Sequence, residues 1–450
     1  MVRMSDCNVS EPFILFGNPG NRRTTGLQEA RSRLMLPPAL EVSYKDVLEA
    51  IRQKQGLSEL MVRIAAQAAQ DSVNGSAYVK ESIDQLLAGQ LDSGPLLRLD
   101  APGESFEVER ELIALGAPDA EGDDSLLSCP EWTQGTGISA AEARRLQEQH
   151  GRIWHPAQWF RGYCRLLAWL RHEVAQLWPS SHWMNDPAEV AVMFDKRRCS
   201  ADLGKADIRV PPVLASSGSA FRDVVELHTA MKENGFHRVF VKIFCGSGAS
   251  GVMAYQVHPH THAELAVTTI GTEIIHGQRV YYNAGRLRRY TDKQDIHAIL
   301  NWLCLEGVHV ERWIPKATLN GRVYDVRQLV CGSEACHAVL RLSHSPITNL
   351  HLRNERLSLK EAGLPQNTVE SVQLTAKAAM SVFPASMVAG LDVLVPAHGG
   401  HPYVLDVNPF GDLLYRVEHH GWNPYEWEMQ HLMQHLVNRS LGTERKDRYD

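Results

Sequence analysis

Three oxygen-bearing side chains far along the sequence are the first candidates for chemistry. Asp392 stands near the end of the apolar segment Gly390–Leu394, and Asp406 and Asn408 lie two residues apart in the next apolar segment. Because alternate residues of a strand face the same side, Asp406 and Asn408 share one face. Two carboxylates and an amide oxygen suit Mg²⁺ that bridges nucleotide phosphates. A solvated polar face is the alternative, but two acids among apolar neighbours repel unless they are paired or metallated.

A glycine-rich loop is the second candidate. It lies between the strand-like segments Val239–Phe244 and Val252–Val257 and consists of Gly246, Ser247, Gly248, Ala249, Ser250 and Gly251. A dinucleotide-binding loop needs a helix directly after it, and here a strand follows. Strand, glycine loop and strand suit a flap whose backbone N–H groups approach phosphates, with Lys242 just before it. A plain flexible hairpin remains the alternative.

Arginines form the third candidate. Arg327 ends the segment Val323–Arg327, and Arg341 lies on the next strand-like segment. Arginine offers a planar, charged fork to phosphate or carboxylate oxygens. A surface salt bridge made by Asp325 is the competing interpretation.

Two other kinds of segment carry weaker signals. Arg22 and Arg23 follow the first apolar segment and suit an anionic substrate group, although the loop lacks the G-K-[ST] of a P-loop. The alternative for them is a surface loop. The histidine runs His258–His262 and His419–His420 are more typical of exposed turns than of a transition-metal site.

The elements that position these residues are predicted by hydrophobic pattern. A buried strand at Phe13–Phe16, a helix at Thr25–Met35 and a strand at Leu40–Tyr44 indicate an open α/β domain. Strand-like segments dominate after residue 235, with helices predicted at 292–304 and 366–382. We therefore expect an α/β protein whose C-terminal lobe is α+β.

Composition excludes several classes. The 450 residues carry 46 Lys and Arg against 52 Asp and Glu, so no strongly basic surface is expected and general nucleic-acid binding is disfavoured. We expect no membrane span and no signal peptide, because no apolar run approaches about 18 residues. The 8 cysteines are scattered without a C-x-x-C pair, which is typical of reduced thiols in a cytoplasmic protein.

In their order along the chain, these segments resemble the ATP-grasp superfamily. The resemblance covers roughly residues 190–440 and is strongest to the glutathione synthetase and ribosomal protein S6 glutamate ligase branch. It is carried by Phe194-Asp-Lys196, Phe240-Val-Lys242 with the glycine flap, Val310–Ile314, Tyr324–Arg327, Arg341, Gly390-Leu-Asp392 and Leu405–Pro409. The N-terminal segments FILFGNPGNRR, LRLDAPGE and HPAQWFRGYCRLL are also similar to a poorly characterised bacterial ATP-grasp family.

The resemblance implies a role for each matching residue. Lys196 and Lys242 would contact ATP phosphates, Lys242 also lying near the adenine. A hinge would read the adenine through its backbone, and its residues would be Glu311, Arg312, Trp313 and Ile314. One or two Mg²⁺ ions, with Mn²⁺ as a substitute, would be held by Asp392, Asp406 and Asn408. Arg341 and Arg327 would act on the transferred phosphate, and Asn349 would face phosphate or substrate.

The activity implied is an ATP- and Mg²⁺-dependent ligase that joins a carboxylate to an amine through an acyl phosphate and releases ADP and phosphate. A kinase of the same fold and a nucleotide-binding protein without turnover are the alternatives. The carboxylate could belong to a peptide or a small molecule, and the oligomeric state is open, with a homodimer as one option. Two departures from the family pattern stand out: Asp406 occupies a position where many relatives carry Glu, and residues 315–321 offer no acid for the ribose.

The resemblance also implies that the chain is divided into three domains. Residues 1–185 would form an N-terminal α/β substrate-side domain, 186–262 a small ATP-grasp subdomain with the flap, and 263–445 a C-terminal lobe with the metal site. ATP would lie between the last two.

Overall fold

The computed structural model describes residues 12–70, 76–89, 94–128, 137–216, 220–246, 250–348, 354–411, 414 and 416–434. Four predicted site residues lie outside these ranges: Ser247, Gly248, Ala249 and Asn349. Within the described part, no helix is long and apolar enough to cross a membrane.

The N-terminal part is built on a parallel sheet of order β2-β1-β3-β4. Its strands are β1 (Phe13–Gly17), β2 (Leu40–Ser43), β3 (Leu96–Leu99) and β4 (His182–Trp183). Every residue of β1 is buried, as expected for a strand that helices cover on both faces. The helices are α1 (Arg22–Arg33), α2 (Tyr44–Gln53), α3 (Leu57–Gln70), α4 (Ser76–Leu87), α5 (Phe106–Leu115), α6 (Ala140–Ala143) and α7 (Pro156–Leu177). The predicted open α/β domain is confirmed.

Helices α5 and α7 cross at two glycines. A Cβ on Gly162 would lie 1.8 Å from the Leu112 carbonyl oxygen, and a Cβ on Gly116 would lie 1.9 Å from the Gln158 carbonyl oxygen. Both distances are far inside van der Waals contact, so the two backbones touch only because neither residue has a side chain.

A second sheet is antiparallel, with the order β8-β7-β6-β5-β9. Its strands are β5 (Arg238–Ile243), β6 (Val252–Val257), β7 (Glu264–Ile275), β8 (Gln278–Tyr290) and β9 (Val308–Arg312). Helices α8 (Pro187–Phe194) and α9 (Lys196–Lys205) precede it, α10 (Val224–Glu233) leads into it, and α11 (Lys293–Glu306) joins β8 to β9. Because this sheet continues to Arg312, the predicted division at residue 262 falls inside it. The division into domains otherwise stays a prediction.

The third sheet has the order β13-β12-β11-β14-β15, with β10 paired to β11. Its strands are β10 (Thr318–Leu319), β11 (Arg322–Cys331), β12 (Glu334–Ser343), β13 (Glu355–Ser358), β14 (Val388–Leu394) and β15 (Tyr403–Asn408). Helices α12 (Leu359–Ala362) and α13 (Gln366–Met380) follow β13, and a last helix covers 424–434.

The period of two along these strands separates an apolar face from a charged one. Val326, Leu340 and Leu391 pack with α13 in one hydrophobic cluster. Their neighbours in sequence therefore face the other side of the sheet, and these include Asp325, Arg327, Arg341 and Asp392. The opposite face is thus where this sheet presents its chemistry.

Candidate functional site

Lys196 connects the second and third sheets. Asp195 caps helix α9 by accepting a hydrogen bond from the Arg197 N–H, which fixes Lys196 as the first helical residue. The Lys196 N–H donates to the Phe244 carbonyl oxygen at 2.9 Å, directly after β5. Its Nζ donates to Asp406 Oδ2 on β15, also at 2.9 Å. One residue therefore touches both the base of the glycine loop and a predicted metal ligand.

The charge on Lys196 is maintained although the side chain is largely buried. Burial lowers the pKa of Lys196, but the adjacent Asp406 carboxylate more than offsets this and leaves the pKa above its ordinary value. A permanent cation is thus fixed beside Asp406.

The predicted metal ligands lie together on β14 and β15. Asp392 stands directly opposite Asp406 in the antiparallel register, and Gly390 stands opposite Asn408. The Asn408 Nδ2 donates to the Gly390 carbonyl oxygen at 3.0 Å, which leaves the amide oxygen as an acceptor. Two acids directly opposite destabilise a sheet unless cations accompany them.

Two arginines supply cations at Asp392. Arg327 Nη1 lies 2.6 Å from Asp392 Oδ1, and Arg341 Nη2 lies 3.0 Å from Oδ2. Burial raises the pKa of Asp392, but the two guanidinium groups outweigh it and hold the pKa far below its usual range. The predicted arginines and the predicted metal ligands thus form one charged group.

Lys316 belongs to the same group, and the sequence interpretation missed it. Its Nζ lies 2.9 Å from Asp325 Oδ2 and donates to the Thr348 hydroxyl at 2.6 Å, while Arg341 Nε donates to Asp325 Oδ1 at 2.7 Å. Burial lowers the pKa of Lys316 despite the nearby carboxylate.

The turn at Asn320 and Gly321 would have allowed the position of Lys316 to be predicted from the sequence. Asn320 and Gly321 both have positive φ, +51° and +74°, as a two-residue hairpin turn requires. Thr318 pairs with Val323 and Leu319 with Arg322, so counting outward from Asn-Gly places Lys316 opposite Asp325.

Lys242 is paired with the predicted hinge. Its Nζ lies 2.6 Å from Glu311 Oε1 on the neighbouring strand β9, and His309 Nε2 lies 3.2 Å from Oε2 of the same carboxylate. Burial raises the pKa of Glu311, but Lys242 and His309 outweigh it and lower the pKa to about 2. Glu311 is therefore ionised, and it orients Lys242 from the hinge side.

The remaining hinge residues differ in what their backbones can offer. The Arg312 N–H donates to the Pro212 carbonyl oxygen at 2.8 Å, and the Trp313 N–H donates to that of Arg238 at 3.1 Å. Among the described residues, the Ile314 N–H donates to no backbone carbonyl oxygen. Of the predicted hinge, Ile314 is thus the residue with a main-chain donor available to a ligand.

The glycine loop is closed at its base by its first and last residues. The Ile243 N–H donates to the Gly251 carbonyl oxygen at 2.9 Å, and the Gly246 N–H donates to that of Ile243 at 3.1 Å. Gly251 has φ +68°, and a Cβ there would lie 2.3 Å from Ile243 Cδ1. The positive φ and this close contact therefore favour glycine at position 251, and Ser250 is the described residue directly before it.

The N-terminal loop also reaches this region. Arg23 Nη1 donates to the Phe410 carbonyl oxygen at 3.0 Å, two residues after Asn408. The first turn of α1 is therefore held against the end of β15. Anion binding by Arg22 and Arg23 stays a prediction.

Solved structures of ATP-grasp ligases are similar to this chain over much of its length. D-cycloserine synthetase DcsG is 12% identical with a TM-score of 0.46, the match covering 94% of this chain and 99% of that one. The ATP-grasp ligase PsnB, solved with a minimal precursor, is 12% identical with a TM-score of 0.42, covering 90% and 92%. D-alanine–D-alanine ligase from Bacillus anthracis, solved with ATP, is 15% identical with a TM-score of 0.30, covering 49% and 56%.

No protein-family model and no curated protein matches the sequence. At these identities and TM-scores the roles of individual residues depend on the geometry of this chain alone.

Proposed function

We propose that this protein is an ATP- and Mg²⁺-dependent ligase that joins a carboxylate to an amine through an acyl phosphate. The observation that carries the proposal is the position of Lys196, which binds the base of the glycine loop through its N–H and Asp406 through its Nζ. A triphosphate that reaches from the loop towards Asp406 would pass this fixed cation. Phosphoryl transfer depends mainly on such positioning and charge neutralisation.

The nucleotide end of the site would be built on the second sheet. Lys196 and Lys242 would contact the phosphates, and the loop between Gly246 and Gly251 would cover them. The adenine would lie at the hinge, where Ile314 offers a backbone N–H. Lys242 must exchange its contact with Glu311 for a phosphate oxygen, and this exchange keeps the ammonium group paired in both states.

The donor set on the third sheet fits Mg²⁺. Asp392, Asp406 and Asn408 offer hard oxygen atoms, and no histidine or cysteine is among them. Each carboxylate is now neutralised by protein cations, so an ion would enter together with the phosphates that take over those cations. When bound, the ion would withdraw charge from the β- and γ-phosphate oxygens. The number of ions and the replacement of Mg²⁺ by Mn²⁺ belong to the same proposal.

The first chemical step would form the acyl phosphate. A substrate carboxylate oxygen attacks the γ-phosphorus, the bond from that phosphorus to the β,γ-bridging oxygen breaks, and ADP leaves. Arg341, held between Asp325 and Asp392, would present its fork to the transferred phosphate, and Arg327 would assist from the adjacent strand. Asn349, which follows Thr348, would face the phosphate or the substrate.

The second step would form the amide. An amine attacks the acyl carbon, the bond from that carbon to the phosphate oxygen breaks, inorganic phosphate leaves, and the nitrogen loses a proton. DcsG is named a D-cycloserine synthetase, and PsnB was solved with a precursor. Both a small molecule and a peptide are therefore included as donors in the test.

A hydroxylamine trap tests the proposal directly. Purified protein is incubated with ATP, Mg²⁺, hydroxylamine and a panel of amino acids, short peptides and other carboxylates, and ADP and hydroxamate are measured together. We expect at least one carboxylate to give both products in equal amounts, and Asp406→Asn to give neither. Asp202→Asn, a half-buried residue of helix α9 that pairs with Lys205, is the matched control and should behave as wild type.

The same assay separates the alternatives. ADP with a stable phosphorylated product and no hydroxamate would favour a kinase. Calorimetric ATP binding without ADP release would favour a nucleotide-binding protein. Absence of both ATP·Mg²⁺ binding and ADP release across the panel would refute the proposal.

A further inference from the structure

A second cluster of polar side chains lies away from the proposed ATP site. Glu334 is the first residue of β12, directly after the turn from β11. His419 and His420 lie in the turn before the 424–434 helix, and His431 lies on that helix. We call these four residues the histidine cluster, and we propose that it binds a transition-metal ion such as Zn²⁺.

The ligand atoms of the cluster are close enough to share one ion. His419 Nε2 lies 2.9 Å from Glu334 Oε1, and His431 Nε2 lies 3.4 Å from Oε2 of the same carboxylate. One ligand atom from each of Glu334, His419 and His420 falls within 4.8 Å of the other two. A carboxylate with two or three imidazoles is the donor set that zinc prefers over magnesium.

The backbone holds His431 in an orientation suited to a metal ligand. Its Nδ1 lies 3.2 Å from the Trp427 carbonyl oxygen, which can only accept a hydrogen bond. This contact directs Nε2 at the Glu334 carboxylate, and a backbone-anchored Nδ1–H is the usual support of a metal-binding histidine.

The turn holds His420 in an uncommon backbone conformation. His419 and Trp422 exchange two backbone hydrogen bonds of 3.0 Å, so only His420 and Gly421 form the tip. His420 has φ +52°, a left-handed conformation that is unfavourable for a residue with a Cβ. Gly421 also has positive φ, +81°. This tight turn keeps His420 next to His419, with ring centroids 4.4 Å apart.

Another histidine is buried beside the cluster. His337, on β12, is 1% exposed and its ring lies 5.7 Å from that of His419. Its Nε2 lies 2.8 Å from the Trp422 carbonyl oxygen, and its Nδ1 has no hydrogen-bond partner among the described residues. A further imidazole ring is thus packed against the cluster on the side away from solvent.

A comparable triad elsewhere in the chain serves as a contrast. His228, Glu264 and His297 also converge, on the second sheet and its helices. There Tyr255 lies 2.6 Å from His228 Nε2 and donates to Glu264 at 2.7 Å, and Lys293 Nζ lies 3.6 Å from the same carboxylate. The carboxylate of this triad is thus already accompanied by a lysine ammonium group and a tyrosine hydroxyl.

Zinc uptake by the full chain without an affinity tag tests the proposal. The protein is stripped with chelator and titrated with Zn²⁺ at pH 7.5 by calorimetry, and metal retained after dialysis is measured by elemental analysis. We expect one equivalent per chain, a tenfold or greater loss of affinity in His419→Gln and in Glu334→Gln, and no loss in the control His297→Gln. Affinity should also fall below about pH 6, since zinc binds neutral imidazole.

The opposite results would overturn it. The proposal fails if wild type retains no zinc, if His419→Gln and Glu334→Gln retain it like wild type, or if only His297→Gln loses it. Co²⁺ absorption provides a second readout, because imidazole ligation at a four-coordinate site gives intense visible bands that should disappear in His419→Gln. Circular dichroism of each stripped variant checks that it is folded. None of these measurements requires ATP, so the result is independent of the ligase proposal.

Discussion

Lys196 Nζ lies 2.9 Å from Asp406 Oδ2, and the N–H of the same lysine donates to the Phe244 carbonyl oxygen at 2.9 Å. The cation is thus fixed relative to the glycine loop by its main chain and relative to β15 by its side chain. A movement of the loop base would be transmitted to Asp406 through a single residue.

Replacing Lys196 should impair turnover more than folding. In Lys196→Met we expect kcat to fall by about 10²-fold or more, since a preorganised charge beside the reacting phosphates is removed. Lys205→Met, at the exposed end of the same helix, is the control and should leave kcat unchanged. Steady-state ADP release measures both, and wild-type kcat in Lys196→Met would contradict the assigned role.

Asp406 should control the Mg²⁺ dependence of the reaction. In Asp406→Asn we expect kcat to fall by about 10²–10³-fold, while ATP binding measured without Mg²⁺ stays within a few fold because only repulsion from phosphate is lost. Asp406→Glu keeps the carboxylate and lengthens the side chain by one methylene, and it should retain activity. Equal Mg²⁺ titration curves for wild type and Asp406→Asn would show that the carboxylate is not a metal ligand.

The predicted site residues were accessible from sequence because strand periodicity and chain order suffice to group them. Asp392, Asp406 and Asn408 could be placed on one sheet face by a period of two. Their cation partners could not, because Lys196 lies 210 residues from Asp406 in the chain and Arg327 lies 65 residues from Asp392. Lys316 was within reach, since the Asn320-Gly321 turn fixes its register, but only if the hairpin is counted outward from its tip.

Boundaries were less predictable than elements. The pattern of residues 139–149 predicts a helix, yet the structure has only α6, Ala140–Ala143. Ser139 and Glu142 form a capping box that starts this helix, but the segment after it lacks a continuous apolar face to pack. The sequence pattern also does not indicate how far the second sheet extends. Strand β7 lies beyond the histidine-rich turn, and its partly exposed residues give no strong alternation at its far end.

Glu306 should make stability depend on pH. Burial raises the pKa of its carboxyl from 4.5 to about 7, against a small opposing effect of the Ala157 N–H that donates to it. Between these two pKa values the native state retains a proton that the unfolded state has released, so the free energy of unfolding falls as pH rises. The loss is complete above the native pKa and amounts to about 3 kcal/mol at most.

Glu306→Gln isolates this effect, because the amide oxygen can still accept from Ala157 and cannot ionise. We expect the variant to gain stability over wild type between pH 5 and pH 8, with little difference at pH 5. Urea unfolding at both pH values measures it, and the comparison cancels the titration of all other groups. A constant difference between the two proteins at pH 5 and pH 8 would show that Glu306 ionises normally.

The crossing of α5 and α7 should tolerate no side chain. A methyl group at Gly162 would lie 1.8 Å from the Leu112 carbonyl oxygen, so Gly162→Ala must push the helices apart, and we expect a loss of about 3 kcal/mol or more. Gly204→Ala in helix α9 has no heavy atom within 4 Å of the added Cβ and should be neutral or stabilise by up to about 1 kcal/mol. Thermal unfolding compares them, and equal Tm values for the two variants would contradict the crossing.

The same crossing provides a way to recognise distant relatives. Sequence identity to the structurally similar ligases is only 12–16%, too low for overall alignment to be informative. A protein that keeps the α5–α7 contact must keep residues without a Cβ where Gly116 and Gly162 stand, whatever else has changed. A search for paired glycines at these two helix positions, combined with the order of the lysine, arginine and carboxylate residues, would separate chains that share this helix crossing from those that share only the order of the charged residues.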